Sequence, residues 1–238
     1  MLRLDAMRAE NGGFDLAADL AVEPGRRVAV IGPSGAGKST LLGAIAGFFP
    51  VTAGRITWDG RDITGAAPGA RPVAMLFQDG NLFPHLTVAQ NVGLGLRPDL
   101  RLSAQQHQAV EQALHRVGLN GMAGRKPGAL SGGQQSRAAL ARVLVQARPL
   151  LLLDEPFAAL GPALKRDMLD LVQALAAETG ATLLMVSHDP DDARYIAEQV
   201  ILVAEGRAEP PVTTATLFAD PPEALRRYLG APGGLPDA

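Results

Sequence analysis

The run Gly32-Pro33-Ser34-Gly35-Ala36-Gly37-Lys38-Ser39-Thr40 sets three glycines beside a lysine and hydroxyl side chains. Glycines at this density let successive backbone N–H groups converge on one anion. Lys38 can then reach the outer phosphates of a nucleotide, and Ser39 offers a hydroxyl to Mg²⁺. A helix opening at Lys38 aims its positive end at the same anion. Lysine occurs only at Lys38, Lys126 and Lys165, so its place in this run does not reflect abundance.

A phosphate loop does not by itself separate a kinase from an ATPase, and the carboxylates carry the argument further. Leu150 to Leu153 form an apolar run that delivers Asp154 and Glu155 to its C-terminal end, where open α/β sheets bind ligands. Asp154 can hold Mg²⁺, a hard cation that takes oxygen ligands. Glu155 can polarise an attacking water as general base. His188 follows another apolar run in LLMVSHD and is predicted at the same sheet edge, where an imidazole can contact a γ-phosphate. Gln78, in AMLFQDGNLFPHL, has an amide able to sense Mg²⁺ or water, although the same position suits an ordinary strand end.

A second glycine-rich turn, Leu130-Ser131-Gly132-Gly133-Gln134, precedes a good helix-forming stretch at 134–146. Ser131 is of N-cap type, and Gly132 and Gly133 permit close backbone approach, so this is a second anion-binding helix start. A nucleotide has one γ-phosphate, which the first loop already encloses. Two such turns in one monomer compete for it, whereas two chains packed head to tail can each close over the other's ATP.

The elements that must position these residues follow from periodicity. The β-branched run 28–31 reads as a buried strand feeding a helix at 38–47, with Gly47 and Pro50 ending it. Residues 54–64 alternate about Asp59-Gly60, which predicts a hairpin near the N-terminal edge. Val110, Ala113, Leu114 and Val117 recur at helical spacing, with Ser103 as N-cap and Gly118 as stop. The runs 150–153 and 182–186 read as strands covered on both faces. Helices alternating with such strands give an α/β architecture with a mostly parallel sheet.

Composition sets the outer limits. The chain has 238 residues, 47% of them hydrophobic, enough for one large domain or two unequal subdomains. With 22 basic and 24 acidic residues and no basic run, nucleic acid is not an expected partner. There is no cysteine, which excludes disulfides and thiolate chemistry. No segment approaches the roughly 18 apolar residues that span a bilayer, and the first residues lack the apolar core of a signal peptide. A cytosolic or peripherally bound protein is expected.

Taken together, the phosphate loop, Gln78, LSGGQ, LLLLDEP and His188 stand in the order and approximate spacing of the ATP-binding subunits of ABC transporters, which the chain resembles over about 1–230. The resemblance implies a P-loop ATPase fold with an N-terminal antiparallel β subdomain and a helical subdomain inserted at about 82–150; the tail at 231–238 is Gly/Pro-rich without periodicity and is expected to be disordered. It implies ATP and Mg²⁺ as ligands, bound by Gly32 to Thr40, with Ser39, Asp154 and Gln78 at the metal and Glu155, His188 and Gln78 at the γ-phosphate. It implies a homodimer formed on ATP binding, in which Ser131, Gly132, Gly133 and Gln134 of one chain face Lys38 of the other. Gln78 and the insertion at 82–128 would touch a transmembrane permease. The chain would thereby act peripherally at the cytoplasmic face of the inner membrane, served indirectly by a periplasmic substrate-binding protein. ATP-driven closure would move the permease between inward and outward states.

Within the family, RPVAMLFQDGNLFPHLTVAQNVGLGL at 71–96 and the short length are most similar to the subunits of bacterial thiamine importers, although importers for iron, sulfate or polyamines share much of the pattern. A small-molecule kinase is disfavoured by LSGGQ. A soluble ATP clamp on nucleic acid or ribosomes is disfavoured by the absence of long coiled coils and basic surfaces. Two departures from the family stand out. Gly161 occupies a place that is usually aspartate, which loosens the expected coupling of dimer closure to hydrolysis. No aromatic residue lies around Arg8 to Asn11 to stack on adenine; Phe14 is the nearest, and burial under the edge sheet is its expected role.

Overall fold

The computed structural model describes residues 1–78, 80 and 82–229, so the tail expected to be disordered lies outside them. In chain order the strands and helices open with β1 (Leu2–Asn11), β2 (Phe14–Val22), β3 (Arg27–Ile31), α1 (Lys38–Ala46), β4 (Val51–Trp58) and β5 (Arg61–Asp62). Next come β6 (Val73–Leu76), α2 (Val88–Gly93), α3 (Ala104–Arg116), α4 (Gly132–Leu144), β7 (Leu150–Asp154) and α5 (Pro162–Thr179). The last are β8 (Thr182–Val186), α6 (Pro190–Ile196), β9 (Gln199–Ala204), β10 (Arg207–Ala208), β11 (Val212–Thr213), α7 (Thr214–Ala219) and α8 (Glu223–Leu229).

These elements divide into two compact units, one comprising Met1–Arg71 with the chain from Thr182 onward, the other Pro72–Ala181. In the first unit the strand order is β5-β4-β1-β2-β10-β9-β3-β8, with β11 also on β9. Its outer part is antiparallel. β1 buries Leu2, Leu4, Met7 and Ala9 on one face, and a register shift between Leu4 and Met7 resets the alternation. Asn11 pairs with Phe14 across Gly12-Gly13, and Trp58 pairs with Arg61 across Asp59-Gly60. All four turn residues have positive φ, as tight hairpin turns matching the strand twist require, so the predicted Asp59-Gly60 hairpin is present.

The inner strands are parallel: β3 pairs β8 with Val30 opposite Val186, and β9 with Ile31 opposite Leu202. Their residues are almost wholly buried, which is why they read as continuous apolar runs rather than alternating ones. β3 and β8 therefore end side by side.

In the second unit β6 and β7 form a parallel pair, and α2 and α3 pack against α4. Three helix starts repeat one device, a capping box in which Thr87, Ser103 or Ser131 accepts from the backbone N–H of Gln90, Gln106 or Gln134 while that glutamine accepts in return. Each cap contributes about 1 kcal/mol. The predicted α3 is bounded as expected: Val110, Ala113 and Leu114 are buried, and Gly118, at φ 71, lets the Leu119 amide return to the Leu114 carbonyl.

Candidate functional site

The phosphate loop leaves β3 between its two parallel neighbours. Gly32, at φ 150, lies so close to β9 that a Cβ there would stand 1.9 Å from the Val203 carbonyl oxygen. Gly37, at φ 105, would put a Cβ 2.7 Å from the Phe14 ring. Only glycine fits either position. The half-buried Phe14 ring thus packs against the loop, not simply beneath the outer strands. Lys38 is 7% exposed, and its Nζ donates to the carbonyls of Gly32 at 2.8 Å and Pro33 at 2.9 Å. The α1 N-terminus has no side-chain cap and no acidic residue in its first turn. A helix start without a side-chain acceptor, beside a buried ammonium, is suited to an external anion.

The other end of α1 is held by Arg71, 2% exposed, whose guanidinium donates to the carbonyls of Ala44 and Ile45, each at 2.8 Å, and to those of Thr64 and Ala66. Burial draws its pKa below the usual arginine value. A guanidinium stays charged at neutral pH even so. A cation at the C-terminal end of a helix favours the helix by up to about 2 kcal/mol when partly buried.

His188 follows β8 as predicted, one strand across from the loop, and is exposed. The amide of the preceding Ser187 donates to the Val30 carbonyl, which ties the two strand ends together.

The second unit gathers the remaining candidates. Leu76 pairs with Leu153, and Gln78 and Glu155 each stand two residues further on, so both leave the same end of the β6–β7 pair. Gln78 is exposed, while Asp154 and Glu155 are half-buried. Glu155 has φ 44, a left-handed conformation that a side-chain-bearing residue adopts at a cost of roughly 1–3 kcal/mol. At the start of α4, Gln134 N donates to Ser131 Oγ at 3.3 Å and Ser131 N donates to Gln134 Oε1 at 3.0 Å. Gly132 is exposed with open space around it, but Gly133 is buried, and a Cβ there would meet Leu164 Cδ2 at 2.5 Å. Close approach is thus available at Gly132, while Gly133 serves packing of α4 on α5. Gln78, Gly132, Gln135 and Pro156 line one cavity of about 610 Å³.

Three residues outside the motifs shape the two units, Arg71 in the first and Arg142 and Asn91 in the second. Arg142 of α4 donates to the Gly80 carbonyl at 2.7 Å, and burial lowers its pKa. Asn91 of α2 is fully buried and makes hydrogen bonds with Phe83 N and with the carbonyls of Phe83, Leu86 and Thr87. It fixes the loop that exposes Phe83, Pro84 and His85. No motif marks any of the three, because their partners are backbone atoms, whose positions residue type does not announce.

Gly161 is the N-cap of α5, with φ −65 and ψ 158, and nothing lies within 4 Å of a Cβ built on it. Its conformation is open to any residue, so the backbone freedom of glycine is not used there.

Comparison with known proteins gives consistent results. The ABC transporter family profile matches residues 17–158. A thiamine import ATP-binding protein of Ruegeria sp. is 64% identical over 97% of this chain and 100% of its own length, and one of Cereibacter sphaeroides is 63% identical over the same shares. Among solved structures, the dimeric bacterial ABC transporter cassette MJ0796 is 30% identical with a TM-score of 0.77, covering 90% of this chain and 99% of that one. The same cassette in a dimeric post-hydrolysis state bound to ADP and Pi has a TM-score of 0.76.

Proposed function

The chain belongs to the ABC transporter family, and from that premise we propose that it is the ATP-hydrolysing subunit of a bacterial thiamine importer. The observation that carries the solute is identity of 64% and 63%, over the whole length of each relative, with thiamine import ATP-binding proteins. No residue chemistry here addresses thiamine, since the solute crosses through another subunit.

The residues fit Mg-ATP: the loop is one that a Cβ at Gly32 or Gly37 would fill, its lysine is buried against loop carbonyls, and its helix start carries no side-chain cap. Backbone amides at Gly32 to Thr40 and the Lys38 ammonium hold the phosphates. Ser39, Asp154 and Gln78 would hold Mg²⁺. Magnesium, when bound, neutralises charge developing on the transferred phosphoryl group. Glu155 orients water and accepts its proton, and His188 and Gln78 sense the γ-phosphate. Most of the acceleration comes from placement and charge stabilisation once the dimer closes and bulk solvent is excluded.

Two copies close head to tail over two ATP, Ser131 to Gln134 of each covering the phosphates held by the other. Among the described residues no helix is long and apolar enough to cross a membrane. The chain works peripherally on a transmembrane permease at the cytoplasmic face, and the periplasmic binding protein acts through that permease. The Phe83–His85 loop and the cavity beside Gln78 form the permease-facing surface.

The test is reconstitution with the permease and the thiamine-binding protein in proteoliposomes. Thiamine is expected to stimulate ATP hydrolysis, and Glu155→Gln to lower turnover at least 100-fold while accumulating an ATP-bound dimer. Stimulation by iron, sulfate or a polyamine instead of thiamine would overturn the solute, and copurification with RNA or DNA in place of a permease would overturn the importer reading.

A further inference from the structure

Ser187 and Asp192 are buried polar residues, 4% and 8% exposed, on either side of His188 in the stretch Ser187-His188-Asp189-Pro190-Asp191-Asp192. The Ser187 hydroxyl donates to Asp192 Oδ2 at 2.5 Å and accepts from the Asp189 amide at 3.0 Å. The Ser187 amide is also bonded to β3, through the Val30 carbonyl. One hydroxyl therefore ties down the residue after His188 and anchors the residue before it to α6, while the backbone anchors that same residue to the strand feeding the phosphate loop. The imidazole is left exposed on a turn whose two flanking residues are fixed.

Burying a carboxylate is unfavourable unless it is well hydrogen-bonded, and a well-packed apolar pair would hold a strand to a helix at least as well. A buried serine–aspartate pair has something an apolar pair lacks: direction. It sets the turn between β8 and α6 in one geometry, because moving the hydroxyl breaks two bonds at once.

We propose that Ser187 and Asp192 are positioning residues for His188, holding its imidazole where the γ-phosphate is read. This inference rests on the reading of His188 as a γ-phosphate contact. It predicts that neither residue affects ATP hydrolysis except through the imidazole.

The experiment measures ATP hydrolysis by the full chain assembled with its permease in the wild type, Ser187→Ala, Asp192→Asn and His188→Ala, and in each of the first two combined with His188→Ala. Melting temperature is followed in parallel. The single positioning variants are expected to lose about 10-fold in kcat with KM for ATP within twofold, and to cause no further loss when His188 is already alanine. Ser187→Thr, which keeps the hydroxyl, should retain at least half the turnover and covers the case in which Ser187→Ala does not fold. Independent, multiplying losses in the double variants would overturn the positioning role while leaving His188 itself in place. Wild-type turnover by Ser187→Ala or Asp192→Asn would do the same. Wild-type turnover by His188→Ala would remove the premise, and the inference with it.

Discussion

The chain opens two helices from glycine-rich turns, and the two are built on different principles. At α1 the glycines are demanded by the backbone: Gly32 and Gly37 have positive φ, and a Cβ on either meets Val203 or Phe14. The helix start carries no side-chain cap, and its buried lysine folds back onto the loop carbonyls. At α4 the start is closed by its own residues, Ser131 and Gln134 satisfying each other's amides. There Gly132 faces open space and Gly133 makes room for Leu164. One turn is a tight glycine cradle whose helix carries no side-chain cap, while the other holds a well-formed helix end with Ser131 and Gly132 exposed at its tip. That difference suits a loop that grips phosphate and a lid that covers it from a second chain.

The contrast can be broken most sharply at Gly32. Gly32→Ala forces a Cβ against a backbone oxygen that cannot step aside, so a loss of roughly 3 kcal/mol or more and no measurable nucleotide binding are expected. Denaturant unfolding and fluorescent-nucleotide titration check this, and wild-type affinity would show that the cradle is not rigid. At α4 the obstruction is the end of a leucine, which can shift. Gly133→Ala should cost about 1–3 kcal/mol, and Leu164→Ala in the same chain should recover part of it. Failure of that rescue would mean that Gly133 answers to something other than packing.

Ser131→Ala removes one half of the capping box and is expected to cost about 1 kcal/mol in unfolding free energy. Binding of ATP to the monomeric chain should stay unchanged, since the cradle is elsewhere. A weakened monomer affinity, read by equilibrium titration, would erase the division between cradle and lid. The smallest effect is expected at Gly161, where Gly161→Asp meets no steric obstacle and supplies an N-cap to α5, adding a few tenths of a kcal/mol. Transport-coupled ATPase is the informative measurement there. A rate equal to the parent's would dispose of the idea that Gly161 loosens dimer closure from hydrolysis.

Local pattern was legible wherever a residue's neighbours in sequence are also its neighbours in space. The apolar runs at β3, β7 and β8, the Asp59-Gly60 turn and the Ser103 and Ser131 caps all act over a few residues, and the structure has them where periodicity put them. Gly133 was only half legible. Its type announced close approach, but the partner, a leucine on another helix, has no trace in LSGGQ. Phe14 shows the same limit: that its ring packs against Gly37 depends on where the β1–β2 hairpin comes to rest.

By itself the sequence determined the inventory of candidate phosphate-handling groups and the strand ends that carry them. Those follow from residue type and short-range geometry, which a chain cannot help displaying. The tertiary structure decided how the groups are held. Arg71 capping α1, Asn91 fastening the Phe83 loop and Ser187 joined to Asp192 beside His188 all bury polar atoms. Burial demands partners, and burial itself is settled only by packing: Arg71 finds Ala44 and Ile45 far away in sequence, while Asn91 and Ser187 find theirs nearby but need them only because the packed fold shuts out water.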